Sequence, residues 1–314
     1  MNIIISGAAG FLGSQLTERL LREGHNIIGI DNIITGTMSN LAPLLKYQNF
    51  LFMKQDVTNI KINEILSRIQ RVDEVYHLAS PASPLFYERY PLETIAVNTI
   101  GTRNLLELSK ITQAKFLYTS TSEVYGDPMV SPQPESYNGN LQTWGPRACY
   151  DESKRLGEVY CYEYAKRYNV KVKIPRIFNT YSAGLRYDDG RVISNFIHQA
   201  LSNQDLTVYG TGLQTRSFCY VDDTIEGLIQ FMNSPVHSEI INIGNEEEYS
   251  ILEIAKIIIE LTQSNSKIVH LQAKECEPFR RKPDIRKAKE KLNWEPSINL
   301  YEGLKRTIRE YKGK

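Results

Sequence analysis

Tyr150 and Lys154 stand four positions apart in the run Tyr150-Asp151-Glu152-Ser153-Lys154. On a helix that spacing puts a phenol and an ammonium on one face. A free phenol titrates near ~10 and is a poor base at neutral pH. A neighbouring ammonium favours the phenolate and brings it into working range. In a chain with 19 tyrosines the spacing alone says little, so its surroundings must carry the reading. Upstream, Ser120-Thr121-Ser122-Glu123 gathers three hydroxyls and a carboxylate. The candidate catalytic set is therefore Tyr150, Lys154, Thr121, Ser122 and Glu123.

The elements that must carry these groups are legible in the apolar pattern. Strand-like runs at Ile3–Ser6, Asn26–Ile30, Phe50–Lys54, Glu74–Ala79 and Lys115–Thr119 alternate with helical stretches. The helical stretches are Leu12–Glu23, Ile60–Ile69, Leu92–Ser109 and Tyr150–Tyr168, and Val170–Arg176 reads as a sixth strand. Such alternation implies right-handed βαβ units and a parallel sheet covered on both faces. The expected fold is α/β, a Rossmann-type doubly wound parallel sheet, with ligands at the carboxyl ends of its strands. The hydroxyl run lies at that edge.

After Arg176 the layout changes. Longer loops appear, with helices at Val192–Leu201, Val221–Phe231 and Ile251–Leu261 and strands at Leu206–Tyr209 and Ile240–Ile243. A basic helix at Asp284–Leu292 and another after Pro296 complete the chain. Residues 1–176 are thus expected to form a dinucleotide-binding domain, with return segments near 218–245. Residues 177–314 should be mainly a smaller substrate-binding lobe. No internal repeat or low-complexity linker interrupts the chain.

Directly after the first strand comes Gly7-Ala8-Ala9-Gly10-Phe11-Leu12-Gly13, opening a helix. In such a loop the first glycine permits a tight turn, the second lets the backbone approach a pyrophosphate, and the third lets helix and strand pack closely. The helix N-terminus then stabilises the negative charge. The second strand is followed at once by Asp31, where a carboxylate binds an adenosine ribose 2′-hydroxyl. The alternative role for Asp31 is a turn cap. A carboxylate there repels a 2′-phosphate, so the expected cofactor is NAD and not NADP.

Composition narrows the class. In 314 residues, 37 Lys plus Arg balance 36 Asp plus Glu. That argues against nucleic-acid and membrane-surface binding, both of which need an excess of positive charge on one face. The 41% hydrophobic and 23% charged residues are ordinary for a globular enzyme. No apolar run is long enough to span a bilayer, and no secretion signal is visible. Cys149, Cys161, Cys219 and Cys276 lack metal spacing and read as reduced thiols of a cytoplasmic protein.

The glycine loop, Asp31, the Tyr150/Lys154 pair and the hydroxyl run together resemble the extended short-chain dehydrogenase/reductase family, the branch that modifies nucleotide sugars. Longer strings sharpen this. His77-Leu78-Ala79-Ser80-Pro81-Ala82-Ser83-Pro84, the run Ser120 to Pro128, Gly145 to Glu152 and Arg281-Lys282-Pro283-Asp284 are similar to the UDP-glucuronate decarboxylases within it. So are Asp189-Gly190-Arg191-Val192, Val208-Tyr209-Gly210 and Gln214 to Phe218, and together these strings cover nearly the whole chain.

The resemblance implies roles. Thr121 holds the sugar 4-hydroxyl alongside Tyr150, and Glu123 acts in decarboxylation or holds the sugar for it. Asn179, Arg191, Tyr209, Arg216 and Arg281 bind the UDP part, since Arg forks suit diphosphate oxygens and an aromatic ring suits uracil. The alternative of a solvated surface charge weighs most at Arg216 and least at Arg281. Leu78, Ala79, Asp56, Val57, Asn32, Thr35 and Gly36 surround the adenosine, and Asn98 lies near the cofactor. Relatives pair through the Leu92–Ser109 and Tyr150–Tyr168 helices, so a homodimer is expected. Where relatives read Asn-Thr-Tyr-Gly-Pro-Arg, this chain has Asn179-Thr180-Tyr181-Ser182-Ala183-Gly184, so the resemblance bears less on the sugar than on the fold.

The implied activity is NAD-dependent decarboxylation of UDP-glucuronate to UDP-xylose through a UDP-4-keto intermediate, redox-neutral overall. Three rivals stand beside it. A 4-epimerase would share the first oxidation. A 4,6-dehydratase would need an acid where Ser122 stands. A non-catalytic NAD sensor would need the loop but not the Tyr150/Lys154 pair.

Overall fold

The computed structural model describes residues 1–69, 71–186, 189–273 and 279–313, in two compact units. The first unit comprises residues 1–124, 142–176 and 228–241. Its sheet runs in the order Glu239–Ile243, Val172–Ile177, Lys115–Tyr118, Glu74–His77, Asn2–Ser6, Asn26–Asp31, Phe50–Lys54. Asn2–Ser6 pairs in parallel with both Asn26–Asp31 and Glu74–His77, so the strand order reverses beside the glycine loop. This is the doubly wound arrangement, and its ligand crevice opens at such a reversal. Helices cover the sheet, and the strand centres are correspondingly apolar: Ile3, Ile4, Ile5, Val75, Phe116 and Leu117 are wholly buried.

The stretch Leu92–Ser109 is not one helix. It is divided into Pro91–Ala96, a π turn at Val97–Gly101 and Thr102–Thr112. A π turn inserts one extra residue into the helical ladder, and here it buries Asn98 and Gly101. A Cβ at position 101 would lie 2.8 Å from Val57 Cγ2, so the glycine permits the close approach. Just before it stands a short helix, Pro84–Arg89, that apolar periodicity does not reveal. Pro84 and Pro91 each occupy the first turn of their own helix, where the missing N–H costs nothing.

The second unit comprises residues 125–141, 177–227 and 242–314. Thr215–Ser217 lies between Glu248–Ser250, antiparallel, and Arg280–Arg281, parallel. Leu206–Tyr209 pairs with Ile268–Leu271 and Thr180–Tyr181 with Cys219–Tyr220, both in parallel. Most of these strands have two or three residues, too few to show an alternation in sequence. Ile251–Thr262 opens on a reciprocal cap between Ser250 and Glu253. The basic helix starts at Arg286 and not at Asp284, because the Asp284 carboxylate accepts the Arg286 N–H at 3.1 Å from outside the helix.

Cys149, Cys161 and Cys219 are free thiols; Cys276 lies outside the described residues. Among the described residues no helix is long and apolar enough to cross a membrane.

Candidate active site

The glycine loop is set by close approach. Gly7 has φ +80°, and a Cβ there would sit 2.7 Å from Ala79 N. A Cβ on Gly13 would sit 1.9 Å from the Gly7 carbonyl oxygen, so only glycine lets the helix start this near the strand. Phe11–Arg22 follows, with Gly10 as an N-cap that offers no side-chain hydrogen bond. The first-turn N–H groups of Phe11, Leu12 and Gly13 therefore have no side-chain cap, and the helix dipole favours negative charge near them.

Asp31 is buried at the end of its strand, where Oδ2 accepts Ala9 N–H at 2.9 Å and Oδ1 accepts Ile33 N–H at 2.7 Å. It is thus a turn cap and a loop anchor at once, and each oxygen keeps a further lone pair for a hydroxyl. Burial raises its pKa, and the two N–H donors oppose that shift. Asp56 differs: burial alone would raise it, but hydrogen bonds from Thr58 and Asn32 hold it below the ordinary carboxylate value. Gly7, Gly10, Asp31, Asn32, Thr35 and Gly36 line one cavity, whose other wall includes Asp56, Val57, Leu78 and Ala79. Glu93 and Gln55 also line it, and no motif had marked them; Ser80, from the His77 to Pro84 string, joins them. A cavity that sets a buried carboxylate beside a glycine loop fits a dinucleotide.

Tyr150 and Lys154 lie on the helix Ala148–Tyr168, both buried. Lys154 Nζ donates to Thr119 O at 2.9 Å and stands 5.8 Å from the Tyr150 ring centroid. The Tyr118 ring, 5.0 Å from Nζ, walls the ammonium on another side. Burial pulls the Lys154 pKa down to about 7, against the pull of Glu158 and Cys161. Because the folded value is depressed, the unfolded chain binds more protons above it, and stability should rise with pH from about 7 towards 9. Lys154→Met should flatten that slope, which denaturation midpoints across this window would report.

Thr121 and Ser122 are buried where the strand Lys115–Tyr118 has ended, and Thr121 Oγ1 accepts Glu123 N–H at 3.2 Å. Two more residues join this set: Tyr87, which no motif marks, and Arg147, which lies in the Gly145 to Glu152 string but to which the resemblance gives no role. Arg147 forms an ion pair with Glu123, and its guanidinium carbon lies 5.9 Å from the Tyr87 ring centroid. Tyr87 in turn stacks on Tyr150 with centroids 5.0 Å apart and planes within 11°. The buried Tyr87 hydroxyl has no hydrogen-bond partner among the described residues. Asn98 is not among the residues lining that cavity; its Nδ2 donates to Ser153 Oγ at 3.0 Å, and Ser153 Oγ donates to Tyr150 O at 3.1 Å. It therefore ties the π turn to the helix that carries Tyr150 and Lys154.

In the second unit Arg216 and Arg281 are partners in register on adjacent parallel strands. Both are buried, so Arg216 is no solvated surface charge. Arg281 Nη2 donates to Gly126 O at 3.0 Å, and Arg216 Nη1 donates to Thr215 O at 2.8 Å. Guanidinium groups of this kind offer the planar fork of donors that suits phosphate oxygens. Arg191 caps the helix Val192–Leu201 and pairs with Asp189 at 3.1 Å. Asn179 donates to Ser217 O at 3.4 Å, and Tyr209 closes its strand. In the altered loop the Ser182 hydroxyl accepts Gly184 N–H at 3.3 Å, making a turn without the Gly-Pro pair; Tyr187 and Asp188 lie outside the described residues.

A model of the NAD dependent epimerase/dehydratase family matches residues 3–244. The chain is 48% identical to UDP-glucuronic acid decarboxylase 1 of Danio rerio over 98% of its own length and 72% of that protein's. It is 47% identical to UDP-glucuronic acid decarboxylase 5 of Arabidopsis thaliana over 97% of its length and 87% of that protein's. Among solved structures it resembles the UDP-glucuronic acid 4-epimerase of Bacillus cereus in complex with UDP-glucuronic acid and NAD. That match has a TM-score of 0.88 and 31% identity, covering 100% of this chain and 99% of that one. The UDP-glucose 4-epimerase of Thermotoga maritima gives a TM-score of 0.92 at 30% identity, with coverage of 100% and 99%.

Proposed function

Because the chain belongs to the NAD dependent epimerase/dehydratase family, we propose that it is a carboxy-lyase that uses NAD to convert UDP-glucuronate to UDP-xylose. The observation that carries this reading is the identity of 47–48% with decarboxylases over nearly the full chain, against about 30% with the epimerases of the same fold. Ser122 where a dehydratase needs an acid, and a complete Tyr150/Lys154 pair, weigh against the dehydratase and the sensor.

In the cavity described above, NAD would supply a reversible acceptor for the hydrogen and electron pair at sugar C4. Tyr150, as the phenolate favoured by Lys154, takes the C4 hydroxyl proton, with Thr121 holding that oxygen. The ketone so formed is β to the sugar carboxylate. When carbon dioxide leaves, the electrons run into an enolate at that oxygen, which Tyr150 stabilises by returning its proton. A proton added at C5 restores the ketone as the enol proton passes back to Tyr150. The hydrogen and electron pair removed at the start then return to C4 as Tyr150 yields the proton to the oxygen, giving UDP-xylose. The unpartnered Tyr87 hydroxyl suits a polar contact to the sugar. Residues 177–314 form mainly the nucleotide-binding lobe in this reading, with Arg216 and Arg281 on the diphosphate and Arg191, Asn179 and Tyr209 on the remainder of UDP.

Incubation with UDP-glucuronate and NAD, followed by mass and NMR analysis, tests the whole. The expected result is UDP-xylose with no lasting NADH absorbance. A product of unchanged mass would make the enzyme an epimerase. Asp31→Ala should narrow the preference for NAD over NADP, because it removes the charge that repels a 2′-phosphate; equal binding of both by the unmodified chain would overturn that role.

A homodimer fits the exposed apolar stripe Leu156, Val159 and Tyr162 on the helix Ala148–Tyr168, with Leu92 and Ile95 on Pro91–Ala96. Light scattering should give twice the chain mass, and Val159→Glu should lower it. The free thiols Cys149, Cys161 and Cys219 fit a reducing compartment, and we place the enzyme in the cytoplasm on that basis.

A further inference from the structure

We propose that Arg147 is a positioning residue that holds Glu123 as a carboxylate beside the Tyr87–Tyr150 stack, so that Glu123 serves the reaction as an acceptor and not as an acid. The inference rests on the decarboxylase reading for the reaction, and on geometry for the pairing. Glu123 follows the buried hydroxyls of the 120–122 run, while Arg147 sits one residue before the helix that carries Tyr150 and Lys154. Their ion pair therefore joins the turn that bears the carboxylate to the start of the catalytic helix. Both side chains are largely buried, at 24% and 17% exposure, so solvent screens the pair weakly.

The charged and titratable groups around the pair come from each neighbouring element. From the helix Ala148–Tyr168, Asp151 Oδ2 lies 3.7 Å from Arg147 Nε, and Arg155 Nη1 donates to Val124 O at 3.4 Å. Lys154 faces Tyr150 on the same helix, and Cys149 there feels the charges of Asp151 and Glu88. From Pro84–Arg89, the Tyr87 ring lies beneath the Arg147 guanidinium. Arg147 thus stands between two carboxylates and an aromatic face. Burial works to lower its pKa, but Glu123, Tyr87 and Asp151 outweigh that and raise it, so the guanidinium stays charged. An opposite charge in contact favours the ionised carboxylate. Without it, the largely buried Glu123 loses the cation that it shares with Asp151, and both burial and like charge favour a protonated carboxyl.

The test uses the full chain with NAD. Glutamate labelled with carbon-13 at the carboxyl gives a titration by NMR, and Glu123→Gln identifies the signal of interest. In Arg147→Gln the Glu123 midpoint should rise by about one unit or more. The acid limb of the kcat profile for carbon dioxide release should move up by the same amount, with turnover recovering at alkaline pH. Arg147→Lys, which keeps the charge, should stay with the unmodified enzyme in both measurements. Arg147→Met carries the same expectation should the glutamine variant not fold. An unmoved midpoint overturns the proposal, as does a moved midpoint with an unmoved acid limb. A raised KM at every pH with no shift of the limb would also overturn it, making Arg147 a substrate anchor instead. If the unmodified enzyme released no carbon dioxide, the decarboxylase reading would fail and take the acceptor role with it, while the NMR midpoint would report separately on the ion pair.

Discussion

Tyr150→Phe should leave the chain folded and able to bind NAD while lowering carbon dioxide release from UDP-glucuronate by roughly 10³-fold, within the range usual for loss of a positioned general base. The substitution removes one oxygen and keeps the ring, so the stack on Tyr87, 5.0 Å between centroids, survives. Lys154 keeps its bond to Thr119 O, and the adenosine cavity does not include position 150. The loss should therefore fall on oxidation of the sugar and not on binding. Calorimetry with NAD and a single-turnover measurement of NADH absorbance separate the two. Release of carbon dioxide at near-normal rate would remove Tyr150 from the role of base.

Glu123→Gln should cut turnover about 100-fold or more, the size usual when a group that accepts or relays a proton is lost. Glutamine keeps the shape but presents a neutral amide to Arg147, so the ion pair becomes an ordinary hydrogen bond. Binding of UDP should change little, because that part of the ligand is assigned to Arg216 and Arg281. A titration with UDP alongside turnover assays checks both halves of the statement. Full activity in the variant would reduce Glu123 to a structural carboxylate.

Much of this site was legible before any coordinates because its parts are local. The glycine loop, Asp31 at a strand end and the four-residue spacing of Tyr150 and Lys154 are each confined to a few consecutive residues. The strands expected in the first half end within a residue or two of those observed, as Phe50–Lys54 and Lys115–Tyr118 show. Parallel strands buried on both faces read as largely apolar runs, and that demand is written along the chain.

What escaped has a common physical origin. Arg147 and Glu123 are 24 residues apart and meet only because a turn after one strand faces the start of the next helix. Tyr87 belongs to a proline-started helix too short to show a period. The burial of Arg216 depends on Arg280–Arg281, a strand of two residues that comes from far along the chain. Gly157 carries no motif, yet a Cβ there would lie 2.2 Å from Tyr118 Oη, so it decides how closely the catalytic helix can approach the strand behind Lys154. Backbone periodicity and short motifs are properties of neighbouring residues, and the sequence alone determined the doubly wound frame, the glycine loop and the pairing of Tyr150 with Lys154. Ion pairs, ring stacks and the depth of a charge depend on which distant segments the packed core brings within a few ångströms. Only the tertiary structure decided that Glu123 meets a cation, that Tyr150 rests on a second phenol, and that Lys154 is buried enough for its pKa to fall to about 7.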